Sequence, residues 1–160
     1  MRTFTKTLCA IAAMGAVSGA AFAQNDAPQN GQIELTGAVM VERTQTVDGT
    51  ERTILQEPTE VVPGDRLVFT TSYRNNTGET VENFVISNPL PTAVRLAQTG
   101  DFDVSVDGGK TFGDLASLQV QSADGASRTA QLADVTNLRW VVPQLSANAS
   151  GTVRYHGIVR

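Results

Sequence analysis

The chain has 160 residues, with 12 basic and 16 acidic side chains, one histidine, one cysteine and a formal net charge of −4. That length suits one domain, and the acidic balance argues against nucleic acid and anionic lipid surfaces as partners, because phosphate binding needs clustered Lys and Arg. A lone histidine and a lone cysteine leave no ligand set for a His-rich or Cys-rich metal centre.

Arg2 and Lys6 form a positive n-region, residues 8–20 a small apolar core, and Ala21-Phe22-Ala23 an A-x-A site. Residues 1–23 therefore read as a secretory signal peptide, cleaved before Gln24. The apolar stretch falls short of the about 20 residues a spanning helix needs. Cys9 sits at its beginning, whereas a lipid-anchored protein would carry the cysteine at its end. Cleavage removes Cys9, so the exported domain is expected to hold together by apolar burial without a disulfide. Residues 24–32 are polar and predict a flexible leader, with a single domain over 33–160.

Ile33, Leu35, Val39 and Val41 share one alternating set, Asp48-Gly49 is a two-residue hairpin signal, and residues 50–56 supply the partner strand. Val62-Pro63-Gly64-Asp65 fits a type II turn, since Pro63 presets φ at the second position and Gly64 supplies the positive φ of the third. After it, Leu67, Phe69 and Tyr73 recur at even spacing with Thr71 among them, which predicts a strand with one apolar face. Residues 75–78 reverse the chain, and residues 81–87 follow with a continuous Phe84-Val85-Ile86 run. This pattern predicts two strands paired with each other, ended by Pro89 and Pro91.

Beyond Pro91 the spacing predicts short strands at 94–97, around Phe102, Val104 and Val106, and around Leu115, Leu118 and Val120. Turns fall at Asp107-Gly108-Gly109 and Asp124-Gly125, and residues 128–132 are weakly patterned. Leu138, Trp140 and Val142 alternate up to Pro143. Residues 146–151 form a polar loop, and Val153 and Tyr155 open the last strand. Short strands separated by Gly, Pro and Asn, with no apolar stripe of helical period, predict an all-β, antiparallel immunoglobulin-like β-sandwich.

Four groups of residues are candidates for chemistry. Ser105-x-Asp107-x-Gly109-x-Thr111-Phe112 has the form of an Asp-box hairpin, in which the Asp accepts backbone N–H bonds and the aromatic packs back. Its expected role is turn architecture, not glycoside hydrolysis. Asp101, Asp103 and Asp107 are close enough in sequence for calcium, yet their spacing is not that of an EF-hand loop, and Asp103 alternates with Phe102 and Val104 as on a solvated strand face. His156 is the one imidazole, flanked by Tyr155 and Gly157, with no G-x-S-x-G elbow to supply a nucleophile. Trp140 shares a face with Leu138 and Val142, which predicts a core position and not an exposed sugar-stacking platform. No catalytic, cofactor-binding or metal-binding residues are expected. Asn75-x-Thr77 and Asn148-x-Ser150 match glycosylation sequons, but both are expected in turns and unmodified.

Pro63-Gly64-Asp65, Asn76 to Gly78 and Asn88 to Pro91, followed by the segments 105–112, Leu138-Arg139-Trp140 and Gly151-Thr152-Val153, resemble the bacterial conserved repeat family, a domain of unknown function (number eleven in that series). The resemblance covers residues 60–160. It implies an immunoglobulin-like sandwich in an exported surface protein and carries no shared activity. The family usually has aspartate where this chain has Asn88. Together these features predict a non-catalytic domain with a structural or adhesive role at the bacterial envelope, periplasmic or extracellular, acting on an envelope or surface protein partner. The alternatives are a glycan- or protein-binding module using loops 75–80, 88–93 or 146–151, and a fibre subunit that joins by strand exchange along residues 33–41.

Overall fold

The computed structural model describes residues 33–121 and 125–160. The expected signal peptide, the expected leader and Asp124 lie outside the described residues. Among the described residues ten strands run in the order β1 (Ile33–Val47), β2 (Thr50–Gln56), β3 (Arg66–Asn75), β4 (Val81–Pro89), β5 (Val94–Leu96), β6 (Asp103–Ser105), β7 (Gln119–Gln121), β8 (Ser127–Thr129), β9 (Asn137–Leu145) and β10 (Ser150–Val159). Two single 3-10 turns, Leu115–Ser117 and Leu132–Asp134, interrupt them. The strands form a five-stranded sheet β2-β1-β3-β10-β5, a three-stranded sheet β4-β9-β6 and a small β7-β8 ribbon. All ladders are antiparallel, so the protein is all-β as expected.

The turn chemistry acts as the sequence demands. Asp48 and Gly49 take φ of 52° and 76°, which closes the β1–β2 hairpin with Val47 opposite Thr50. Gly64 takes φ of 96°, and Asp65 N–H donates to Val62 O at 3.0 Å. Asp65 also accepts from Val62 N–H and forms a two-pronged pair with Arg43 on β1. Gly64 and Asp65 are tied in turn to Val159, the last residue of β10.

The expected pairing within residues 62–91 is corrected. β3 pairs with β1 and β10, while β4 pairs with β9 in the other sheet. Residues 76–80 therefore form an arch between sheets instead of a hairpin within one. Strand, turn and strand at this spacing serve either purpose, and Asn75 decides between them. Its side chain is fully buried and hydrogen-bonds across the corner, donating to the carbonyls of Glu79, Leu145 and Ser146.

Both larger sheets contribute to one hydrophobic cluster, with Val41, Leu67, Leu96 and Tyr155 from the first and Ile86, Val104, Leu138 and Trp140 from the second. Trp140 lies 6.2 Å from Tyr155 and Tyr73 lies 6.1 Å from Phe84, ring centre to ring centre, so aromatic pairs join the sheets. Asn88 Nδ2 donates to Thr71 Oγ1 at 2.8 Å, a polar tie between the same two sheets.

Two strands run differently from expectation. β9 continues through Pro143 to Leu145, because β6 pairs with it only over Asn137–Arg139 and the rest of that edge needs no donor. Of the alternating set on β1, Val41 alone is buried, and Leu35 and Val39 are 53% and 36% exposed. A three-stranded sheet cannot cover five strands, so the outer part of the larger sheet keeps its apolar side in water.

Gly157 is buried between Leu67 of β3 and Leu96 of β5, and a Cβ there would overlap Val94 and meet the Phe69 ring at 3.2 Å. Gly157→Val is expected to lower the unfolding free energy by about 2 kcal/mol, read as a lower urea midpoint at unchanged m-value.

Candidate functional site

The Ser105–Phe112 segment folds around two hydroxyl and carboxylate anchors. The Ser105 hydroxyl, fully buried at the end of β6, donates to Asp107 Oδ1 at 2.7 Å and accepts the Gly109 N–H at 2.9 Å. Asp107 Oδ1 also accepts the N–H groups of Lys110 and Thr111 at 3.0 and 2.9 Å. Gly108 and Gly109 both take positive φ. Thr136 clamps the loop from outside, its hydroxyl accepting from Gly108 N–H and donating to Ser105 O. The Ser105 hydroxyl, then the Thr111 N–H, hold the Asp107 carboxyl well below its ordinary range. Phe112 packs under the Arg139 guanidinium, 4.5 Å from its ring centre, instead of closing on the hairpin alone.

Two of the three aspartates singled out for calcium have other partners. Asp103 pairs with Arg139 at 2.7 Å, and Asp107 is occupied within its turn. Among the described residues no three His, Cys, Asp or Glu side chains converge to hold a metal ion. Two further carboxyls are also drawn down by structural contacts: Asp65 by Arg43 and then the Val62 N–H, and Asp134 by Arg128. Asp134 reaches back to the Gln131 N–H at the start of its 3-10 turn.

His156 lies on β10 opposite Val68, with Nδ1 3.4 Å from Glu42, which also receives Arg66 Nε at 2.9 Å. This small charged cluster bridges three neighbouring strands, and it contains no hydroxyl or thiol nucleophile. Trp140 is 7% exposed, with Phe102 edge-on at 5.2 Å. Tyr155 stacks on Phe69 at 4.6 Å, and its burial pushes the phenol up to about 12. A shallow cleft of about 330 Å³ opens beside β10, with Asp101, Phe102, Trp140, Arg154 and His156 in its wall. Phe102 and Tyr155 both contact the Trp140 ring, and little of its surface reaches solvent.

The loops proposed for binding separate into two groups. Loop 75–80 meets loop 146–151, where Asn148 N–H donates to Thr77 O at 3.3 Å and Asn75 N–H to Ala149 O at 2.8 Å. Loop 88–93 lies elsewhere, held through Leu90 N–H to Thr136 O and Arg160 N–H to Ala93 O. Of the two sequons, the Asn75 amide is sealed in the corner and closed to modification, while Asn148 is exposed at φ of 58°. Sequence reasoning missed the weight of Asn75, Glu42 and Arg139. An Asn two residues before Thr, at a strand end, is the signature of an Asx turn and was legible for Asn75. Glu42 and Arg139 carry no such local mark, since their partners are distant in sequence.

No family model matches the chain, and no curated protein or solved structure matches it.

Because the folded Asp107 carboxyl is lower than the unfolded one, its contribution is complete above the ordinary carboxylate range and is lost as pH falls through the folded value. Urea midpoints measured from about pH 5 down to about pH 2 are expected to fall less steeply for Asp107→Asn than for the parent protein. Trp140 is expected to emit at a blue-shifted, solvent-shielded wavelength in the native state, moving to the solvent value in urea.

Proposed function

We propose that the protein is an exported immunoglobulin-like β-sandwich with a non-catalytic, structural or adhesive role at the bacterial envelope. The observation that carries this reading is where its strongest polar groups are used. Asp65, Asp107, Asp134, Asn75 and Ser105 each close a turn or a corner, and Glu42 and His156 sit in an ion cluster on a strand surface. Catalysis requires such groups to converge on a reacting atom with a poised proton. Adhesive and structural domains require instead a rigid frame with loops held in place. The shared core of the two larger sheets supports the sandwich, and the type II turn at Val62 to Asp65 agrees with the resemblance to the conserved repeat family.

A second reading, recognition of protein or glycan by an end loop, draws on the meeting of loops 75–80 and 146–151, which places two irregular segments side by side on a firm base. Within the described residues no helix is long and apolar enough to cross a membrane. The role is tested by expressing the full chain in a bacterium with an outer membrane and fractionating it. Processed protein in the periplasmic or surface fraction, together with envelope proteins crosslinked to it in cells, is expected. Full-length chain retained in the cytoplasm, or hydrolysis of reporter esters or glycosides that His156→Ala removes while the fold persists, would overturn the reading.

A further inference from the structure

β1 is longer than the strand that covers it. β2 pairs with Val41–Val47 and leaves residues 33–40 bonded to β3 on one side and to nothing described on the other. The ladder fixes which backbone groups face that gap. In β10 the carbonyl of His156 is taken by Ala97 on the β5 side, so even residues of β10 point away from β3 and odd ones toward it. Carried across β3, whose odd residues then face β10 and even residues face β1, the same alternation turns Glu34, Thr36, Ala38 and Met40 toward β3. Leu35, Gly37 and Val39 therefore point both N–H and C=O away from β3, on the side where no described strand pairs with them. The β1–β2 hairpin agrees: Val47 and Thr50 face each other as the closing pair of a two-residue turn.

The side chains of the same residues lie on the apolar side of the sheet. Leu35 is opposite Tyr73, Val39 opposite Phe69 and Val41 opposite Leu67, and Leu35 and Val39 are large hydrophobics left in water. Neither Lys nor Pro, the usual guards of an exposed edge, occurs between Ile33 and Met40. The order Ile33, Leu35, Gly37, Val39, Val41 is close to symmetrical about Gly37, where a Cβ would meet nothing within 4 Å.

We propose that this edge is an interface between two copies of the chain, paired antiparallel about a two-fold axis through Gly37. Such an axis, normal to the sheet, sets residues of the same face opposite one another. Leu35 then faces Val39 of the second copy, Gly37 faces Gly37, and Glu34 faces Met40. Each of Leu35, Gly37 and Val39 exchanges its free backbone bonds with its counterpart, and the two uncovered apolar pairs bury each other. The end of β2 at Gln56 stands opposite Val41, so Ile33 of the second copy meets it end-on and the shared ladder runs from Glu34 to Met40. A like-to-like contact closes on itself, so this edge gives a dimer and not the fibre expected for strand exchange. The inference stands independently of the envelope role.

Sedimentation equilibrium of the purified protein over a wide concentration range tests it, alongside amide exchange at Leu35, Gly37 and Val39. A reversible monomer–dimer equilibrium is expected, with those amides slowing as concentration rises while Ala38, already bonded within the sheet, does not change. Gly37→Pro removes a donor from the open edge without touching the β3 ladder, and Val39→Lys sets a charge in the seam. Both variants are expected to sediment as monomers with unchanged circular dichroism. Should Gly37→Pro fail to fold, Val39→Lys decides alone. A parent protein that stays monomeric at millimolar concentration, a dimer that survives Val39→Lys, or open-ended polymers would overturn the proposal.

Discussion

The corner built around Asn75 is the constraint on which the rest of the structure depends. At that point β3 leaves one sheet and the chain must enter the other, which strands backbone groups that neither ladder can satisfy. The Asn75 amide answers three carbonyls, those of Glu79, Leu145 and Ser146, while its oxygen accepts from the N–H and hydroxyl of Thr77. An amide has two hydrogens, so one of the three donations is shared. Glu79 lies in the β3–β4 arch, and Leu145 and Ser146 lie where β9 gives way to β10. One side chain thus joins the two crossings between the larger sheets at this end. Sealed from water, these bonds are stronger than they would be in solvent, and an orphaned carbonyl among them would cost correspondingly more.

The other polar groups follow the same economy at the remaining corners. Asp65 fastens the entry to β3 onto β1, Ser105 and Asp107 fold the loop after β6, and Asp134 sets the short turn before β9. Each lies where the chain changes direction. Between them the sheets are joined by apolar packing, by the Tyr73–Phe84 and Trp140–Tyr155 ring pairs and by the Asn88–Thr71 bond. With these groups engaged at the corners and apolar side chains packed between the sheets, the strand edges and the loops are left as the parts of the molecule able to meet another.

Much of this was legible in the sequence, and what was not has a physical reason. Asp48-Gly49, Pro63-Gly64 and Asp107-Gly108-Gly109 name their turns because positive φ restricts which residues can stand there. Leu138, Trp140 and Leu67 name the core by their alternation. Which strands pair is a different matter, because β3 to β4 has the same local pattern whether the turn closes a hairpin or crosses between sheets. The deciding contacts join Asn75 to residues about seventy positions away. The exposure of Leu35 and Val39 was hidden for a related reason: alternation shows which side of a strand is apolar, not whether another sheet reaches far enough to cover it. Among the candidate groups, the turn role of Asp107 and the buried position of Trp140 emerged as expected, whereas the Arg139 partnership with both Asp103 and Phe112 depends on the β6–β9 register and could not be seen from any one segment.

Equilibrium urea unfolding of Asn75→Leu tests the central claim most directly, because leucine keeps the branched shape of the side chain and removes every hydrogen bond that the Asn75 side chain makes at the corner. A loss of about 3 kcal/mol or more is predicted, with faster exchange at the Thr77 amide that Asn75 holds. A variant within about 0.5 kcal/mol of the parent, with the Thr77 amide still protected, would contradict it.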